Sequence, residues 1–258
     1  MAHSIKNLLT DARRKLSGNP SANLDAEVLL AHVLETSRTF LYANPDLELP
    51  AQRSEAFKRL VKKRLHGQPI AYLTGKCEFW SLPLTITPSV LIPRPETELL
   101  VEAALDRIPP GSGWRVADLG TGSGAIALAL ASERICCEIH GTDISKEALK
   151  VAAANANALG LTNLRFHCGS WAEPLDGQFD LVASNPPYVD DADPHLQQGD
   201  LRFEPREALS PGGDGLSAIR EIADQSYALL KAAGWLILEH GWQQGEAVRQ
   251  VLRDTAYA

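Results

Sequence analysis

Apolar residues return at helical intervals along the first third of the chain. Ile5, Leu8, Leu9, Ala12 and Leu16 make one stripe, the spacing of a helix buried along one face. Gly18-Asn19-Pro20 stops that helix, and Ser21 stands where the next one needs an N-cap. Ala26, Leu29, Leu30, Val33 and Leu34 make a second stripe. After the breaks at Asn44-Pro45-Asp46 and Leu49-Pro50, Phe57, Leu60, Val61 and Leu65 make a third. The outer face of this third helix carries Lys58, Arg59, Lys62, Lys63 and Arg64. A solvated face explains these charges most simply; a docking surface for an acidic partner is the sharper reading. Residues 1–76 are thus expected to form a small helical domain.

The period then changes. Residues 78–87 suggest two short strands around a Leu82-Pro83 turn. Pro88, Pro93 and Pro95 follow, so 77–93 is expected to be a rigid β-hairpin connector between domains. Thr97 can cap a helix over 98–107. From Trp114 onward short apolar runs alternate with helical patterns, the signature of an α/β fold with a mostly parallel sheet. Strands are expected at 116–119, 138–142, 164–168, 179–184 and 234–239, with helices at 125–132, 146–159, 216–230 and 246–253. Residues 94–258 therefore read as a Rossmann-like second domain.

Composition narrows the class. A chain of 258 residues with 45% hydrophobic and 22% charged residues is ordinary for a soluble globular protein. No apolar run is long enough to span a bilayer, and the amino terminus carries no signal-peptide core. The cysteines at 77, 136, 137 and 168 form no C-x-x-C pair, and the histidines show no metal-ligand spacing. Buried thiols in a reducing cytoplasm are expected, with no metal. Residues 1–76 hold 12 Lys+Arg against 7 Asp+Glu, and residues 77–258 hold 13 against 25. The larger part is thus strongly acidic, which argues against general affinity for nucleic-acid backbones.

Two loops carry the candidate chemistry. Asp118-Leu119-Gly120-Thr121-Gly122-Ser123-Gly124 lies between a strand and a helix, where glycines permit close backbone approach to a ligand. Its spacing is G-x-G-x-G, not the G-x-G-x-x-G of a dinucleotide fingerprint, and it resembles the motif of class I S-adenosylmethionine methyltransferases. Asp143 follows Gly124 by 19 residues at the end of the second strand, where a carboxylate accepts ribose hydroxyls. Capping the helix at Lys146 is its plainer role, and both can hold. Trp171, just after the third strand, either flanks an adenine or belongs to the core.

Asn185-Pro186-Pro187-Tyr188 ends the fourth strand. Two prolines donate no N–H and hold the turn stiff, and Asn185 before proline is pushed toward an extended conformation. A side-chain amide, bare carbonyls and an aromatic ring then sit at the carboxyl edge of the sheet, where α/β folds bind ligands. That set suits a flat, weakly nucleophilic NH2 group. The carbonyls accept its protons, and the Tyr188 ring stacks on its plane.

Over nearly its whole length the chain resembles the release-factor glutamine methyltransferase family, PrmC or HemK. Leu91-Ile92-Pro93-Arg94-Pro95-Glu96-Thr97-Glu98 is similar to that family's linker, and Phe203-Glu204-Pro205, Leu238-Glu239-His240-Gly241 and Gln244-Gly245 also match. The resemblance implies a methyltransferase using S-adenosyl-L-methionine. Its acceptor is the side-chain nitrogen N5 of the glutamine in the Gly-Gly-Gln loop of class I peptide chain release factors. It implies cofactor contacts at Gly120, Thr121, Gly122, Ser123, Gly124, Asp143, Trp171 and Asn185, and catalysis with amide recognition at Asn185, Pro186, Pro187 and Tyr188. A cytoplasmic monomer without nucleic acid or membrane is expected. Such enzymes close their sheet with an antiparallel hairpin after the last helix, and residues 254–258 lie about where it begins.

Two other readings remain. A methyltransferase for adenine or guanine amino groups uses a similar turn on a flipped base, but it needs a basic groove or a target-recognition domain. A non-catalytic Rossmann-type module explains the glycine loop and Asp143, though not Asn185 to Tyr188.

Overall fold

The computed structural model describes residues 3–257. The chain divides into two compact units, Met1–Gly75 and Lys76–Ala258. In the first, β1 (His3–Ser4) leads into α1 (Ile5–Lys15), followed by α2 (Ala22–Leu34), α3 (Arg38–Ala43), β2 (Glu48–Leu49), α4 (Ala51–Leu65) and α5 (Ile70–Thr74). The three expected stripes meet in one core that includes Ile5, Leu8, Leu29, Leu30 and Phe57. Ser21 does not cap α2 through its side chain. Its hydroxyl donates to Asn19 Oδ1 at 2.9 Å, and Asn19 donates in turn to Asp25 at 2.9 Å. Arg64 is not on the outer face either. It pairs with the buried Asp25 at 2.7 Å, because the carboxylate inside the helical core needs a cation.

The second unit begins with a hairpin of β3 (Lys76–Phe79) and β4 (Leu82–Thr85). Its turn is Trp80-Ser81, both with positive φ (52° and 58°), the geometry of a tight two-residue hairpin turn. Leu82-Pro83 lies inside the second strand instead, with Pro83 opposite Glu78. Then come α6 (Glu98–Arg107), β5 (Arg115–Leu119), α7 (Ala125–Glu133), β6 (Glu138–Asp143), α8 (Lys146–Ala158) and β7 (Leu164–Cys168). After β8 (Phe179–Ser184), three short 3-10 turns lead to α9 (Ser217–Leu229), β9 (Leu230–Leu238) and α10 (Gly245–Asp254).

Five parallel strands form one sheet in the order β7-β6-β5-β8-β9. The chain first builds outward from β5 to β7, then crosses back to β8. The topological switch therefore lies between β5 and β8, the place where open α/β sheets bind ligands. β5 and β8 are buried almost throughout, as strands covered on both faces must be. β9 starts four residues before its expected position, and its pairing with β8 shifts register between Phe179 and Leu181. Among the described residues no strand follows α10, and β9 is an edge of the sheet.

Candidate active site

Strand register brings the two loops together. Asp118 of β5 pairs with Ala183 of β8 and with Gly141 of β6. Two residues further along each strand stand Gly120, Asn185 and Asp143, side by side at the carboxyl edge. Ser184 Oγ donates to the Leu119 carbonyl at 2.6 Å and ties the two strand ends together.

The glycine loop is pinned from below and behind. Asp118 has no exposed surface; its Oδ2 accepts from Thr121 Oγ1 at 2.6 Å and from the Ala127 N–H at 3.1 Å. Burial pushes the Asp118 carboxyl up to about 7, with the Thr121 and Ala127 bonds pulling the other way. The Thr121 N–H donates to Thr142 O at 2.8 Å. Gly124 opens α7 with φ of 86°, and a Cβ there would come within 3.1 Å of the Ala152 Cβ. Only glycine allows α7 and α8 to approach this closely.

Asp143 faces the loop. Its Oδ2 accepts from the Gly122 N–H at 2.9 Å and its Oδ1 from the Ser145 N–H at 2.8 Å. Burial raises its pKa, and those two backbone bonds oppose the rise. It does not cap α8: Ser145 does, accepting from the Ala148 N–H at 3.2 Å. Trp171, held at φ of 45°, lays its ring beside Gly120, where a Cβ would sit 3.1 Å from the indole. Its other neighbours are the core around Phe179 and Ile222, so Trp171 belongs to the core and also borders the glycine loop.

In the Asn-Pro-Pro-Tyr turn, Asn185 Nδ2 donates to Thr97 Oγ1 at 2.9 Å. Among the described residues, none donates to Asn185 Oδ1 or to the Pro186 carbonyl. Tyr188 is held at both ends. Its hydroxyl donates to Glu239 Oε1 at 3.0 Å, and its carbonyl accepts from Gln244 Nε2 at 2.9 Å. Burial, with the Glu239 carboxylate adding to it, pushes the phenol up to about 12. The ring borders an open cleft of about 540 Å³ that Glu96, Leu99, Glu239 and Trp242 also line.

Sequence reasoning did not anticipate several of these partners. Arg94 and the Ile92 N–H both bind Glu204, whose side chain is fully buried. Both ends of that bond lie in segments already singled out, but nothing along the chain pairs them. Asn155, 1% exposed on α8, accepts from the Thr85 N–H at 2.7 Å and donates to the carbonyls of Thr85 and Ser123 at 3.1 and 3.0 Å. It joins the hairpin to the glycine loop. Thr97 was expected as a cap and is instead a partner of Asn185.

Comparison with known proteins places the chain in a family. Residues 7–75 match the PrmC N-terminal domain, and residues 110–256 match a methyltransferase domain. A release factor glutamine methyltransferase of Xylella fastidiosa is 53% identical over 89% of this chain and 84% of its own length. The Escherichia coli protein of the same name is 49% identical over 96% of this chain and 90% of its own. A Pyrococcus furiosus methyltransferase of known structure, 18% identical, superposes over 76% of this chain and 87% of its own with a TM-score of 0.52, and so shares the fold. With such relatives matched along nearly the full length of both partners, the chain belongs to the release factor glutamine methyltransferase family.

Proposed function

We propose that this protein transfers a methyl group from S-adenosyl-L-methionine to the N5 side-chain nitrogen of the glutamine in the Gly-Gly-Gln loop of class I peptide chain release factors. One observation carries the assignment of the site. The Asn185 amide is paired through its NH2 with Thr97, which leaves its oxygen for an acceptor's N–H at the switch point of the sheet.

The residues present fit the cofactor. The Gly120–Gly124 loop is a backbone cradle that a Cβ at Gly120 would fill against Trp171. Asp143 spends one bond on each oxygen, and a carboxylate has further lone pairs for ribose hydroxyls. Gly120, Thr121, Gly122, Ser123, Gly124, Asp143 and Trp171 would therefore hold it, with Asn185 at the border. Once bound, S-adenosyl-L-methionine supplies a methyl group already activated on a sulfonium.

The remaining difficulty is the acceptor, whose nitrogen lone pair is delocalised into its own carbonyl. Positioning is the work proposed for this turn. Asn185 Oδ1 and the Pro186 carbonyl accept the two N–H bonds of the glutamine amide, and Tyr188 supplies an apolar wall. Those bonds strengthen as the nitrogen becomes positive, so they favour the transition state over the ground state. The surplus proton leaves to water afterwards, and no general base is invoked.

Mass spectrometry of a release factor after incubation with the protein and cofactor should show one added methyl on that glutamine. An unmodified glutamine would overturn the proposal. Asn185→Ala removes one acceptor and leaves the backbone path set by Pro186 and Pro187. Its kcat should fall on the order of 10²–10³-fold with cofactor affinity less affected. Asn185→Asp, which keeps an acceptor but adds a charge, should fall between. Parent-like single-turnover rates for Asn185→Ala would refute the role given to this turn.

A further inference from the structure

We infer that Thr97 is the positioning residue that fixes the Asn185 amide with its oxygen toward the methyl acceptor, an inference that rests on the reaction proposed above. Thr97 stands at the start of α6, where a threonine hydroxyl ordinarily accepts from the helix's first free N–H groups. Here it cannot, because the residue itself has helical angles (φ −67°, ψ −17°) and its side chain makes no cap bond. The hydroxyl is 2.9 Å from Asn185 Nδ2 instead, in a residue only 4% exposed.

The segment that carries Thr97 is tied at several points, none of which belongs to the sheet. Arg94 and the Ile92 N–H bind the buried Glu204. Glu98 Oε1 accepts from the Trp80 N–H at 2.8 Å, at the turn of the hairpin. Pro93 and Pro95 stiffen what lies between. A hydroxyl held this firmly is a fixed reference for a side chain that can otherwise rotate about two torsions. An asparagine amide presents an acceptor on one edge and two donors on the other. With its NH2 turned outward, it would set donors against the donors of the glutamine amide. Thr97 takes the NH2, so Oδ1 faces the acceptor.

Two kinds of measurement test this. On the parent chain, the Asn185 side-chain amide protons are assigned by through-bond correlation to the Asn185 backbone in a 13C,15N-labelled sample. One of them should exchange with water markedly more slowly than a free asparagine amide. Exchange of both at the free rate would overturn the inference, and this reading needs no variant to fold.

The second measurement is a cycle of Thr97→Val, Thr97→Ser, Asn185→Ala and the Thr97→Val/Asn185→Ala double variant. Single-turnover rates are taken on intact release factor with cofactor saturating. Thr97→Val should be about tenfold to a hundredfold slower, with calorimetric cofactor affinity unchanged and Thr97→Ser close to the parent. The double variant should be no slower than Asn185→Ala alone. A parent-like Thr97→Val beside a slow Asn185→Ala overturns the role of Thr97 only, as do losses that multiply in the double variant. A parent-like Asn185→Ala overturns the reading of the turn and the role of Thr97 with it.

Discussion

Asp118 is a carboxyl with no exposed surface directly before the glycine loop, and its two oxygens are unequal. Oδ2 holds Thr121 and the Ala127 N–H, while Oδ1 is buried without a partner among the described residues. Burial is the largest influence on it and raises its pKa to about 7, against roughly 3.9 in an unfolded chain. The folded state therefore keeps a proton that the unfolded state has released. Its contribution is fully present below about pH 4 and is lost as pH rises through about 7. Asp118→Asn keeps the shape and cannot titrate. Its unfolding free energy, from urea titrations at several pH values, should fall less steeply than the parent's between about pH 4 and 7. Parallel curves would show that the carboxyl is ionised throughout. The sequence made the loop legible through its glycine spacing, but not this role for Asp118. β5 is buried on both faces, so it has no polar and apolar alternation to say where a side chain points. Thr97 and Ser21 were opaque for a related reason. Capping preference is local, and in both residues a tertiary or neighbouring partner took the hydroxyl.

At the scale of elements, the long helices and the buried strands were readable because each has several turns or a full apolar run of signal. The short α3, α5, β1 and β2 have too few residues to show a period. The hairpin turn was misplaced because Trp80-Ser81 lacks the Asn-Gly or Asp-Gly chemistry that usually marks positive φ, while Leu82-Pro83 offered a false one. No reading along the chain foresees that α8 reaches the hairpin and the glycine loop through a single amide. Asn155 makes three hydrogen bonds across that junction. Removing it takes the partner from the Thr85 N–H and from the buried Ser123 carbonyl. Asn155→Ala should cost about 1–3 kcal/mol, read as a lower urea midpoint at unchanged slope, and should loosen β4 and the glycine loop together. A loss below about 0.5 kcal/mol, the range of an ordinary surface change, would mean that this amide does not hold the junction.

The whole molecule joins two units with opposite charge. Residues 1–76 have an excess of Lys and Arg, and the remainder has 25 acidic residues against 13 basic. The helical unit has a core of its own, and its buried Asp25 and Glu27 are matched by Arg64, Arg13 and Arg38 at 2.7 Å each. It is thus a built domain with a core and internal ion pairs of its own. Gripping a single glutamine side chain requires nothing of this size, since Asn185, Pro186 and Tyr188 lie in the larger unit. We propose that the helical unit recognises the release factor beyond its Gly-Gly-Gln loop. Contacts remote from the reacting atom raise kcat/KM when their binding energy is used to orient it. Intact release factor should therefore be methylated with a kcat/KM on the order of 10²-fold above that of a short Gly-Gly-Gln peptide, equal to about 2.7 kcal/mol of remote contact. Of the basic residues on α4, Arg64 is taken up by Asp25 and Lys58 pairs with Glu55 at 2.9 Å, which leaves Arg59, Lys62 and Lys63 exposed. If these guide the encounter, Lys62→Glu with Lys63→Glu should lower kcat/KM for intact factor at low salt and leave the peptide unaffected. Loss on both substrates would place the defect in folding, and loss on neither would make this face a solvated one. Equal kcat/KM for parent protein on peptide and intact factor would remove the recognition role from the helical unit altogether.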